Sequence, residues 1–200
     1  MLAYIQVAFC SPFKEITVEH NTKLLGGISC IALILFSVLG SFTPFIGILS
    51  LLAGICLLVA FFQAGSQVGR ADVKNHLIVS IVLSVVGMIV FMLVAGASLM
   101  TATIMDPLSG FSSMTAIVGA IIVWIIFMIA SWFWYKASAS LAEGSNTPFF
   151  KTGGLLIFIG SILLVIFGLG AILILIGEIL QAVAFFNAPE KEAGAAGTAA

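Results

Sequence analysis

The sequence predicts an all-α fold: a polytopic transmembrane bundle of six helices, arranged as three hairpins. Three observations predict it. Of 200 residues, 62% are apolar and 8% are charged, against about 25% charged in a soluble domain. A chain so poor in charge cannot clothe a water-facing surface. Apolar runs recur at 24–40, 45–62, 77–100 and 115–135, all free of Asp, Glu, Lys and Arg. Each approaches the ~20 residues that a spanning helix needs. A fifth run, 153–186, is too long to cross once. As a single helix it would measure about 51 Å, against a hydrocarbon core of about 30 Å, an excess that tilt does not absorb.

Each element follows in order. Residues 1–22 read as an N-terminal interfacial or cytoplasmic segment, because its opening apolar stretch is short and Pro12 interrupts it. Lys14 follows that stretch rather than preceding it, and no small-residue cleavage site is visible, so the first span is expected to act as an uncleaved insertion signal. The transmembrane domain covers 23–187. Its first helix is 24–40. Thr43-Pro44 reads as an N-cap and a first-turn proline opening 45–62. The third helix is 77–100. Asp106-Pro107 reads as a turn, and Ser112 or Ser113 as a cap for 115–135. That helix closes on Trp132-Phe133-Trp134-Tyr135-Lys136, an interfacial aromatic belt with a snorkelling lysine. The fifth run divides near Gly168-Leu169-Gly170, where glycines permit a tight turn, into 153–168 and 170–186. Residues 188–200 are small, polar or charged and read as a flexible cytoplasmic tail.

Charge supports the division. With six helices, Lys14, Lys23, Arg70, Lys74, Lys136, Lys151 and Lys191 all fall on one side, and the opposite side carries no positive charge. The positive-inside rule then puts both termini in the cytoplasm of a multi-pass protein of the cell membrane.

Two hairpins look duplicated. Lys23 with Gly26-Gly27, ending in Val59-Ala60-Phe61-Phe62-Gln63, parallels Lys151 with Gly153-Gly154, ending in Val183-Ala184-Phe185-Phe186-Asn187. The copies enter from the same side, unlike the inverted repeats of many secondary transporters. Glycines also recur seven apart, at Gly47 and Gly54, Gly153 and Gly160, and Gly170 and Gly177. Such small-residue stripes let helix backbones approach closely.

Glu178 is the single charged residue within the six spans. A charge at mid-depth costs about 2.5–3.5 kcal/mol. Such groups face a bundle interior and often mark a proton or ion path. With no Lys or Arg at that depth, the surroundings favour the neutral acid. Gln181 lies one turn on, on a nearby face. Two readings follow: an intramembrane proton or ion site at Glu178 and Gln181, or a neutral acid hydrogen-bonded across a dry helix interface.

Other chemistry is poorly provided for. The near-neutral charge, seven Lys and Arg against eight Asp and Glu, offers no basic field for nucleic acid. Cys10, Cys30 and Cys56 have no metal-site or redox spacing. Asp72 and His76 stand four apart beside Arg70 and Lys74, and read as a solvated, capping segment rather than a metal site. His20 has no spacing relation to them, and Asp106 and Glu143 have no partner pattern. No nucleophile elbow, zinc-protease, Walker or dinucleotide motif is present. The expectation is therefore no enzyme, no metal and no cofactor. The expected surroundings are a lipid bilayer, with a homo-oligomer or other membrane subunits as partners.

Lys23-Leu24-Leu25-Gly26-Gly27-Ile28, Pro44-Phe45-Ile46-Gly47 and the closing Ala184-Phe185-Phe186 resemble the archaeal membrane-protein family DUF996, a domain of unknown function, over roughly residues 17–188. The resemblance implies an integral membrane protein, archaeal in origin, and transfers no site residue. The leading expectation is a non-enzymatic structural or accessory membrane component; the rival is a small transporter or channel using Glu178. A dry core around Glu178 favours the first, and a polar cavity the second.

Overall fold

The computed structural model describes residues 18–39, 44–105, 114–164 and 169–189. Six helices account for them: α1 (His20–Leu39), α2 (Pro44–Gln67), α3 (Ala71–Met105), α4 (Met114–Ser145), α5 (Pro148–Leu163) and α6 (Leu169–Asn187). Four stretches, Ile48–Gln67, Ala71–Gly96, Ile117–Ser145 and Leu169–Asn187, are long and apolar enough to cross a membrane. The proposed turns at Asp106-Pro107 and Ser112-Ser113, the segment 1–17, residue 43 and the tail from 190 lie outside the described residues.

The long final run is two helices, as its length requires. The first helix runs to Leu163 and the second begins at Leu169, and Gly168, where the turn was expected, lies outside the described residues. Leu169 and Gly170 already belong to α6. Gly170 is a packing residue: a Cβ there would collide with the Gly160 carbonyl and the Leu164 backbone.

Two segments read as loops are mostly helix. α2 runs to Gln67 and α3 resumes at Ala71, while α4 runs to Ser145 and α5 resumes at Pro148. Hydropathy marks where a helix leaves an apolar medium; it does not mark where the helix ends. Backbone chemistry ends these two. Gly69 (φ 72°) and Asn146 (φ 52°) adopt the left-handed conformation that terminates helices. Arg70 N–H then returns to the Gly65 carbonyl at 3.0 Å, and Thr147 N–H to the Ala142 carbonyl at 3.1 Å. Pro148 follows at the first position of α5, and Asp72 in the first turn of α3 suits the positive end of that helix.

Each helix packs on its neighbours in sequence, and α6 packs back on α1, so the six form a closed ring. The α2–α3 seam is the thinnest of the six. The start of α1 and the end of α6 meet at one end of the ring, where Val18 N–H donates to the Pro189 carbonyl at 2.9 Å. Lys23, Arg70, Lys74 and Lys151 stand at helix ends on this same side, and Lys136 lies in the last three turns of α4. The buried core gathers here too. It combines the early part of α1 and α3, the late part of α2 and α4, Phe150, and the end of α6.

At its centre Phe61, Phe150 and Phe185, each about fully buried, meet edge to face with centroids 5.9, 5.3 and 4.9 Å apart. Phe61 and Phe185 are equivalent positions of the two similar hairpins, so the repeat supplies both rings that close the ring of helices. Gly26 makes room for this contact, since a Cβ there would sit 2.5 Å from the Phe185 ring.

Between α5 and α6 the glycine stripes act as anticipated. Gly153 faces Gly177 and Gly160 faces Gly170 across an antiparallel crossing. Gly54 departs from that pattern: nothing lies within 4 Å of its missing Cβ. Its face of α2 borders open space, not another helix.

Candidate functional site: a cavity at mid-depth

Between the helices lies a cavity of about 440 Å³, open to the outside, to which all six helices contribute. Leu33 of α1, Gly54 and Leu58 of α2, Ser80 and Ser84 of α3, Ser131 and Trp134 of α4, Ile157 of α5, and Glu178 and Gln181 of α6 contribute. All stand well inside their helices. Glu178 is the tenth residue of the 19-residue α6, so the acid sits halfway along it. The sequence-derived pair is thus brought together at one site.

The two differ in environment. Glu178 is half-buried at the cavity wall. Gln181 is wholly buried, because it sits where α6 crosses the glycine face of α5: a Cβ on Gly153 would lie 3.0 Å from Gln181 Cγ. Gln181 Nε2 donates a long hydrogen bond of 3.4 Å to Ser138 Oγ. Its Oε1 has no partner, and an unpaired buried carbonyl costs about 1–3 kcal/mol.

The serines are already engaged through their protons. Ser80 Oγ donates to the Ala130 carbonyl at 2.9 Å, binding α3 to α4. Ser131 Oγ donates to the Phe127 carbonyl one turn back at 2.7 Å. Each hydroxyl keeps its lone pairs. With the Glu178 carboxyl, they offer acceptors to the cavity.

Sequence reasoning did not find Ser80, Ser84, Ser131 or Trp134. A signal existed: Ser80 and Ser84 lie four apart, and Ser131 and Trp134 three apart, polar stripes inside apolar helices. The aromatic belt proves to be divided. Trp132 and Tyr135 group with Phe158, at 5.1 and 6.4 Å, and Lys136 Nζ lies 5.5 Å over the Trp132 ring. Trp134 turns inward, 4.8 Å from Phe61, and lines the cavity. Four consecutive residues span all faces of a helix, so a run of aromatics cannot all face lipid.

Several other polar contacts lie at the end of the ring where Val18 meets Pro189. Glu143, which showed no partner pattern, forms an ion pair with Arg70 at 3.1 Å between two exposed side chains. Glu19 N–H donates to Gln67 Oε1 at 3.0 Å, and Gln67 Nε2 to Thr22 Oγ1 at 3.1 Å, which fastens the start of α1 to the end of α2. His76 lies 6.1 Å from the Phe133 ring. Among the described residues no three of His, Cys, Asp and Glu are grouped as a metal ion requires.

A family model described as a protein of unknown function (DUF996) matches residues 49–179. The three motifs that carried the resemblance lie just outside that span, in its flanks. An uncharacterised protein of the archaeon Methanocaldococcus jannaschii is 25% identical over 171 residues, covering 85% of this chain and 93% of the relative. No solved structure matches the chain.

Proposed function

Since the chain belongs to the DUF996 family, for which no activity is described, its role has to be read from its own residues, and we propose a small membrane transporter or channel with Glu178 as its intramembrane proton or ion site. One observation carries this reading: Glu178 and Gln181 line one cavity between the helices, and the buried Oε1 of Gln181 beside it has no partner. A purely structural or accessory component calls for a dry interface in which every buried polar group is matched. Polar groups gathered at mid-depth around open space instead fit the handling of a proton, ion or polar solute.

The remainder of the reading follows from the chain's surface. Apolar side chains such as Ile28, Leu52, Val85, Ile121 and Ile172 point outward and suit contact with lipid. The basic residues at the end of the ring where Val18 meets Pro189 fit a cytoplasmic location for that end. The role is non-catalytic in this reading: no nucleophile paired with a base lines the cavity.

The test is flux. Wild-type protein and Glu178→Gln are reconstituted in liposomes, and proton and monovalent-cation movement is followed with entrapped indicator dyes. A Glu178-dependent flux, lost by about tenfold or more in the variant, is expected. Equal flux from both proteins overturns the reading.

A further inference from the structure

We propose that the cavity binds a lipophilic ammonium compound, whose N–H groups donate to the Glu178 carboxylate and whose apolar body lies against Trp134 and the leucine-lined walls. This inference rests on the transporter reading of the same site and names its class of solute.

Four observations point to that chemistry. The first is the state of two hydroxyls. Ser80 and Ser131 have committed their protons to backbone carbonyls. Lone pairs are what these two groups have left to offer, and they suit a ligand that carries donors. The second is charge. Glu178 is the one ionisable side chain in the lining, with no Lys, Arg or His among those residues. A cationic head supplies the missing countercharge, and a charge-assisted hydrogen bond is about twice as strong as a neutral one.

The third is size and wall chemistry. A cavity of about 440 Å³ lies within the range of about 300–1,000 Å³ typical of small-molecule pockets, and its non-polar residues include Leu33, Leu58 and Ile157. A hydrated metal ion would leave those walls unused. The indole of Trp134 gives an ammonium a favourable aromatic face. The fourth is access. The α2–α3 seam is the thinnest in the ring. Gly54 of α2, which lines the cavity, has nothing within 4 Å of its Cβ position. A solute that partitions into lipid meets the cavity at this seam.

The proposal is tested by direct binding to the full-length protein in lipid nanodiscs. The probe is the fluorescent naphthylethylammonium ion, compared with naphthaleneethanol, which has the same body and no charge. Saturable binding of the ammonium, about tenfold or more tighter than the alcohol, is expected from one charge-assisted hydrogen bond. Glu178→Gln should abolish that preference, and Gly54→Phe, which fills the cavity from the opposite wall, should remove binding of both compounds. Equal affinity for ammonium and alcohol in the wild type overturns the proposal, and that comparison needs no variant to fold. Wild-type affinity in a monodisperse Gly54→Phe protein overturns it as well. The two readings fail separately: Glu178-dependent flux without ammonium preference discards this ligand and keeps the transporter, whereas ammonium binding without flux keeps the site and discards transport.

Discussion

Gly153 and Gly177 pack backbone against backbone: a Cβ on either would lie 2.8 Å from the carbonyl oxygen of the other. This reciprocal contact brings α5 and α6 together one turn from Gln181 and therefore sets where α6 presents its polar pair. Gly177→Val must push the helices apart, and overpacking of this kind costs about 1–3 kcal/mol. Gly54→Ala meets no neighbour and should be neutral or stabilising by up to about 1 kcal/mol through helix propensity. Unfolding of both variants in detergent, followed by helical circular dichroism, checks the contrast.

Phe61 and Phe185 close the cytoplasm-assigned end of the ring at 5.3 Å, with planes 85° apart. Phe185→Ala should destabilise the protein by about 3–5 kcal/mol. A double-mutant cycle between the two positions should return a coupling of about 0.5–1.5 kcal/mol. No coupling would mean that the rings contribute by burial alone.

Arg70 and Glu143 join the α2–α3 turn to the last turn of α4, but their side chains are 40% and 60% exposed. Solvent screens such a pair. Glu143→Gln should change stability by less than about 1 kcal/mol, and the difference should vanish near 1 M salt, where the Debye length is about 3 Å. Thermal unfolding at low and high ionic strength measures it.

The orientation has its own test. Lys74 and Lys151 are exposed near the starts of α3 and α5. In a cysteine-free background, Lys74→Cys and Lys151→Cys should react with a membrane-impermeant maleimide in inside-out vesicles and stay unreacted in intact cells. Labelling in intact cells would reverse the assigned topology.

Helix number, type and order were legible in the sequence because they follow from local quantities: the length of an apolar run, the absence of charge within it and the excess length of 153–186. Glu178 was legible for the same reason, since an acid in an apolar helix stands out whatever surrounds it. Only the tertiary structure decided that α6 closes on α1, that Gly54 borders space while Gly153 borders backbone, that Trp134 turns inward, and that Ser80 and Ser131 join Gln181 around one cavity. Arg70 and Glu143 are 73 residues apart, and no local pattern pairs them. The physical reason is that every face of these helices is apolar. Hydrophobicity therefore marks the helices without indicating which side of each turns inward, and close packing around glycines and rings makes that choice.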